Sequence, residues 1–392
     1  MPRMQHRHLL PGLFTVLLLT ACSSGSSRHG ERVPPTPDAQ AVQRAQALAD
    51  SGYHAREPAA TLTLALQQWA VAGESMPVSL AFPGYGTKLP LIVYVPGLGE
   101  SPQAGSRWRQ AWARAGYAVL SAQPLEFDAT AWASDLARGA EFKALARAHL
   151  RPELQAERQR HLQALLEEAR RRALGGDSLW QRVDFERIAF AGYDFGSLSA
   201  AAPRAAATLL LSPLPLDEAT AAGIERPLMM VGSHRDVDLL GAVAAPQDRV
   251  QSFASLPPGG KALLMLDGAS HGLLSGNVGQ ELGDEDRAES APAQQQRSRG
   301  GQGGQGGRHS RGAGGGMGGG QPGGAEAGSY GGGNNRPAAS RPSSGGLMQA
   351  QAVETLSIAF FDAHLRGRAE ARQWLDRDAA NWLGELGEWQ QR

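Results

Sequence analysis

Seven apolar stretches punctuate the chain, and the pattern around them sets the architecture. Leu89–Val95, LPLIVYV, is apolar throughout, as a strand covered on both faces should be. Similar runs predict strands over Met76–Pro83, Tyr117–Ala122, Arg187–Gly192, Thr208–Leu211, Pro227–Val231 and Lys261–Asp267, with Gly84-Tyr85-Gly86 as the turn between the first two. Between the strands the apolar period changes to that of a helix. Pro152–Leu174 is heavily charged but repeats its apolar positions at Leu154, Leu162, Leu165 and Leu166. Arg107–Ala115 predicts a helix stopped by Gly116. Ala39–Asp50 has helical composition, a small-residue helix follows Gly192 to about Ala207, and Arg249–Ser255 is helical. Ala350–Arg366 is an amphipathic helix, with more helix to Trp389. Strands alternating with helices predict an α/β domain with a mostly parallel, twisted sheet covered on both faces.

The two ends of the pattern and one interruption fall outside this core. Arg3 and Arg7 precede a short apolar run, Leu9 to Leu19, too short to span a bilayer. It ends in Leu19-Thr20-Ala21-Cys22, which resembles the bacterial lipobox. That resemblance implies a lipoprotein signal peptide over 1–21 and a diacylglycerol on the Cys22 thiol. Ser23, where an aspartate would favour the inner membrane, implies an outer-membrane anchor facing the periplasm. Residues 22–37 read as a flexible tether. Residues 280–346 contain RGGQGGQGGRHSRGAGGGMGGGQPGG and almost no large apolar side chain. Such a segment cannot bury enough surface to offset its ordering entropy, so a disordered insert is expected. The core is then 38–279, completed by C-terminal helices in 347–392.

Composition narrows the chemistry. The chain has 392 residues, 42% of them hydrophobic, which is enough for one large core. Formal net charge is zero, and Tyr330 is the lone aromatic of the Gly-rich insert, so no nucleic-acid partner is expected. The single cysteine rules out an intrachain disulfide and a Cys-based metal cluster. His6 and His8 lie in the signal peptide, and His234 with Asp236 is too sparse for a metal site, so neither metal nor cofactor is expected.

Four strand ends carry reactive residue types. LPLIVYV runs into Pro96-Gly97-Leu98-Gly99-Glu100-Ser101. RIAFA runs into Gly192-Tyr193-Asp194-Phe195-Gly196 and then a helix. PLMMV runs into Gly232-Ser233-His234-Arg235-Asp236, and KALLML into Asp267-Gly268-Ala269-Ser270-His271-Gly272. Glycines on both sides of Asp194 permit a sharp strand-to-helix turn that pushes its side chain into a cleft. The Phe195 N–H would then face a developing oxyanion, with the Leu98 N–H as second donor. His271 would be the base, and Asp236 would orient it, with Asp238 competing for that role.

This set resembles the α/β-hydrolase superfamily, in particular the capless dienelactone-hydrolase, platelet-activating-factor-acetylhydrolase and polyester-hydrolase branches. The likeness covers roughly residues 76–275 and the closing helix SIAFFDAHLRG. It implies a hydrolase of small ester-like or alkyl molecules with nucleophile, acid and histidine in that chain order. The family carries serine or cysteine where this chain has Asp194. Haloalkane dehalogenases and epoxide hydrolases have an aspartate there, in an elbow similar to GYDFG, but they also carry a helical cap after the sixth strand. Here only Pro213–Arg226 is available at that place, and the helix-rich Asp128–Leu174 is the alternative lid. Three readings follow: Asp194 as nucleophile; a hydrolase relative without activity, Asp194 paired with His271; or catalysis through Ser197 or a His271-activated water.

Overall fold

The computed structural model describes residues 39–54, 59–201, 205–277 and 344–392. The signal peptide, Cys22, the tether and the Gly-rich insert lie outside the described residues. The strands are β1 (Thr61–Val71), β2 (Glu74–Pro83), β3 (Leu89–Val95), β4 (Ala118–Ala122), β5 (Val183–Tyr193), β6 (Ala207–Leu211), β7 (Leu228–Ser233), β8 (Lys261–Leu266) and β9 (Gly387–Gln391). They form one sheet in the order β1-β2-β4-β3-β5-β6-β7-β8-β9. From β4 to β8 every neighbouring pair is parallel; β1, β2 and β9 add antiparallel edges.

Alternation along the strands feeds two separate cores. Ile92 and Tyr94 of β3 pack on one face with Trp108 and Trp112 of the helix Ser106–Arg114 and with Leu356, Phe360 and Phe361 of the long C-terminal helix (Ser344–His364). Leu91, Val93 and Val95 pack on the other face with Leu162, Leu165 and Ala169 of Pro152–Leu174, and with Trp180. Helices therefore cover both faces, and the strands between them are apolar at nearly every position for that reason. Burying each such aromatic is worth roughly 1.5–3 kcal/mol.

Two elements differ from expectation. β1 was not expected: it pairs with β2 through a hairpin whose turn residues, Ala72 (φ 53°) and Gly73 (φ 85°), both take positive φ, and most of its side chains are exposed. The expected helix at the C-terminus stops at Leu383; Gly387–Gln391 is instead a strand antiparallel to β8. The helix expected over Arg249–Ser255 is present, as a 3₁₀ helix over Pro246–Ser255. The short helices Glu126–Ala129, Asp135–Arg138 and Phe142–His149 fill the span between β4 and the long helix.

Candidate active site

The loops after β3, β5, β7 and β8 meet at one edge of the sheet, because parallel strands deliver all their C-terminal ends to the same side. Asp194 leaves β5 with φ 49°, a left-handed backbone that costs a non-glycine residue about 1–2 kcal/mol. The turn closes with Ser197 N–H donating to the Asp194 carbonyl at 2.9 Å. Its flanking glycines are steric requirements. A Cβ on Gly192 would lie 2.4 Å from the Gly196 carbonyl oxygen, and one on Gly196 would lie 2.3 Å from that of Val95.

The loop after β3 is fixed from several sides. Gly97 N–H donates to Glu100 Oε2 (2.8 Å), and Asn277 donates to Glu100 Oε1 (2.7 Å). Burial raises the pKa of Glu100 and the charge of Asp194 adds to that, against the two hydrogen bonds. Gly99 N–H donates to the Asp128 carbonyl (2.9 Å), and the Trp132 indole to the Leu98 carbonyl (3.1 Å). The Leu98 N–H makes no hydrogen bond among the described residues. Phe195 opens the helix Phe195–Ala201, where N–H groups have no intrahelical acceptor.

His271 starts a short helix after β8. Its Nδ1 lies 2.7 Å from Asp236 Oδ1, with the Ser212 hydroxyl 3.0 Å from the same nitrogen. The Tyr193 hydroxyl donates to the His271 carbonyl (2.9 Å). Burial alone would lower the His271 pKa, but the Asp236 hydrogen bond and the charge of Asp194 outweigh it and raise the value. Asp236 is fully buried; burial pushes its pKa up, and His271 and Arg249 together bring it below the ordinary carboxylate value. Asp238 instead holds its own loop, accepting from the N–H groups of Leu240 (2.9 Å) and Val243 (2.6 Å).

Arg249 was not singled out from the sequence, and it reorganises the site. It is 0% exposed. Its Nη1 donates to Asp194 Oδ1 (3.1 Å) and to the Ser212 carbonyl (3.0 Å). Its Nε lies 3.4 Å from Asp236 Oδ1 and its Nη2 3.7 Å from Asp238 Oδ1. Asp194 thus makes its ion pair with Arg249, not with His271 as the sequence suggested. Asp194 Oδ2 accepts no hydrogen bond among the described residues. An arginine on a short helix is ordinarily solvent-facing, and no local sequence signal marks this one as buried.

Other candidates fall away from the centre. The Ser197 hydroxyl is buried and accepts from Leu214 N–H (3.1 Å). His234 and Asp267 are exposed, 3.9 Å apart. Among the described residues no group of three or more His, Cys, Asp or Glu side chains is placed to hold a metal ion.

The stretch Glu126–His149 lies over the loop after β3. Ala131, Leu145 and Ala146 from it pack with Leu98, Phe195, Leu214, Leu240 and Val243 in one apolar cluster. Asp128 ties it down, accepting from His149 (2.8 Å) and from Nε and Nη2 of Arg158 (both 2.7 Å). A cavity of about 460 Å³ lies between Ala140–Arg147 and Asp238–Gly241; Asp238 lines it, and neither Asp194 nor His271 does. No protein-family model and no curated protein matches the chain.

Proposed function

We propose that the chain is an α/β-hydrolase-fold enzyme that cleaves a carbon–halogen or epoxide bond in a small alkyl substrate, with Asp194 as nucleophile. Asp194 at the end of β5, Asp236 after β7 and His271 after β8 support the fold assignment, since they follow the order this fold uses. The observation that carries the chemistry is the asymmetry of the Asp194 carboxylate: Oδ1 is anchored by Arg249 while Oδ2 has no partner among the described residues. Oδ2 is therefore the oxygen left to attack carbon while Arg249 fixes the orientation of the carboxylate. Carbon is favoured over an ester carbonyl as the target, because attack on an ester would give a mixed anhydride and gain little.

In the first step Asp194 Oδ2 bonds to the substrate carbon, and the leaving group departs with the bonding electrons; an epoxide alkoxide then takes a proton from water. The N–H groups of Leu98 and Phe195 are available to that developing charge. In the second, neutral His271 takes a proton from water as the water oxygen bonds to Asp194 Cγ. The Cγ–Oδ2 bond breaks, the alcohol leaves with the proton from His271, and the second proton of water is released from Asp194 to solvent, which restores the carboxylate. Glu126–His149 supplies the apolar wall that the absent cap would give. No cofactor enters either step.

The test is a covalent adduct. His271→Gln exposed to 1-bromobutane or 1,2-epoxybutane should accumulate an alkyl ester on the peptide containing Asp194, read by mass. An unmodified peptide with both probes favours the second reading, a catalytically inactive binding protein. That reading draws on the same fully buried Arg249, which can hold Asp194, Asp236 and Asp238 together without chemistry.

We also propose that the enzyme is lipid-anchored in a bacterial envelope, on the lipobox-like sequence ending at Cys22. Intact-mass measurement of the membrane fraction should find a diacylated N-terminal Cys22; a soluble, unmodified mature chain would contradict it.

A further inference from the structure

We propose that Arg249 is a catalytic residue of the second half-reaction: its Nη1 stabilises the oxyanion that forms on Asp194 Oδ1 when water attacks the alkyl ester. The inference rests on the nucleophile reading above. Its basis is which oxygen is held. Alkylation through the unpartnered Oδ2 makes Oδ1 the ester carbonyl oxygen, and Oδ1 is the atom 3.1 Å from Nη1.

The charge on Oδ1 changes differently in the two steps. In the free carboxylate it is about half a negative charge, and alkylation removes it, so the guanidinium gives the first transition state no help. In the ester Oδ1 is a neutral carbonyl; addition of water at Cγ places a full negative charge there. A donor already positioned, fully buried and needing no reorganisation is worth most at that moment. Arg249 also has capacity to spare: its Nε and Nη2 make no hydrogen bond among the described residues.

Its surroundings fit the same step. With Asp194 esterified, Asp236 and Asp238 face Arg249, and the proton that His271 takes from water balances the oxyanion that forms on Oδ1, so the addition leaves the net charge of the buried site unchanged. Arg249 therefore keeps its charge through the cycle, held by two carboxylates that do not react. The backbone N–H groups of Leu98 and Phe195 remain for the leaving group of the first step, since neither holds Oδ2.

The test separates the two steps with 1-bromobutane. Quenched single turnovers of Arg249→Lys should form the Asp194 adduct at the wild-type rate or faster and hydrolyse it about 10²-fold more slowly, so that the ester accumulates. A purely structural role would slow both steps alike, or neither, and would overturn the proposal. Where Arg249→Lys does not fold, the adduct trapped in His271→Gln is read by infrared spectroscopy with labelled aspartate. The ester carbonyl stretch should lie below that of the same ester in an aprotic solvent; an unshifted band overturns the proposal. An adduct in His271→Gln with fast hydrolysis in Arg249→Lys removes Arg249 alone. The lack of any adduct in His271→Gln removes the nucleophile reading and this proposal with it.

Discussion

Asp194 sits where its backbone is strained and its side chain is divided between two tasks. The strain at φ 49° is held by neighbours that leave no space for any residue but glycine at 192 and 196. A conformation that costs energy and is enforced from both sides is the kind that marks functional positions. His271 carries the acid–base half of the proposed chemistry, and its titration is set by two carboxylates. Its folded-state pKa is raised, so its contribution to stability is present below the unfolded value of about 6.5 and is lost as pH rises through the folded value. Asp236 runs the other way: depressed in the fold, it contributes above its unfolded value of about 3.9, and that is lost as pH falls through the folded value. Neutral His271 is needed only for hydrolysis of the Asp194 ester, so lowering the pH through its titration should slow that hydrolysis in single turnovers and leave formation of the ester unchanged. NMR titration should find a lower His271 pKa in Asp236→Asn and a smaller decrease in Asp194→Asn. An unchanged titration in both would contradict the electrostatic picture.

At the scale of elements, the central strands were readable because burial on both faces leaves a continuous apolar signature, as in β3 and β8. β1 gave no such signature: TLTLALQQWAV is largely exposed, and it is a strand because the Ala72-Gly73 turn folds it onto β2. β9, GEWQQ, is polar and follows helices, so its pairing with β8 is decided by tertiary contact rather than local pattern. Within the site, the strand ends carrying Asp194, Asp236 and His271 were legible, while Arg249 was not, since nothing local distinguishes a buried arginine from a solvated one. The covering stretch was legible only as helix-rich; its attachment through Asp128 needed three dimensions. Asp128 binds the Gly99 N–H through its carbonyl, and its carboxylate binds His149 and Arg158. Its pKa is lowered because those two partners outweigh its burial. Removing one member of a buried ion pair costs about 3–5 kcal/mol. Asp128→Ala should therefore lose that much in urea unfolding and release Glu126–His149 to proteolysis. A variant as stable and as resistant as wild type would show that the stretch is held by its apolar contacts alone.

Across the whole molecule, six neighbouring parallel strands point their C-terminal ends at one edge, and the antiparallel edge strands and the C-terminal helix close the sheet away from it. Sequence alone gave this α/β plan with its mostly parallel sheet, because alternating strand and helix periods leave few other packings. The central claim is that Asp194, not water, attacks the substrate, and atom balance makes it measurable. In the proposed route the product alcohol takes Asp194 Oδ2, and the oxygen of water replaces it in the protein. The direct measurement is a single turnover with 1-bromobutane or 1,2-epoxybutane and excess enzyme in heavy-oxygen water. The account predicts the heavy isotope in the peptide that contains Asp194 and none in the first molecule of butanol or, from the epoxide, at the newly formed hydroxyl of the diol. Heavy isotope in the product with an unlabelled peptide, or no turnover of either probe, would contradict it.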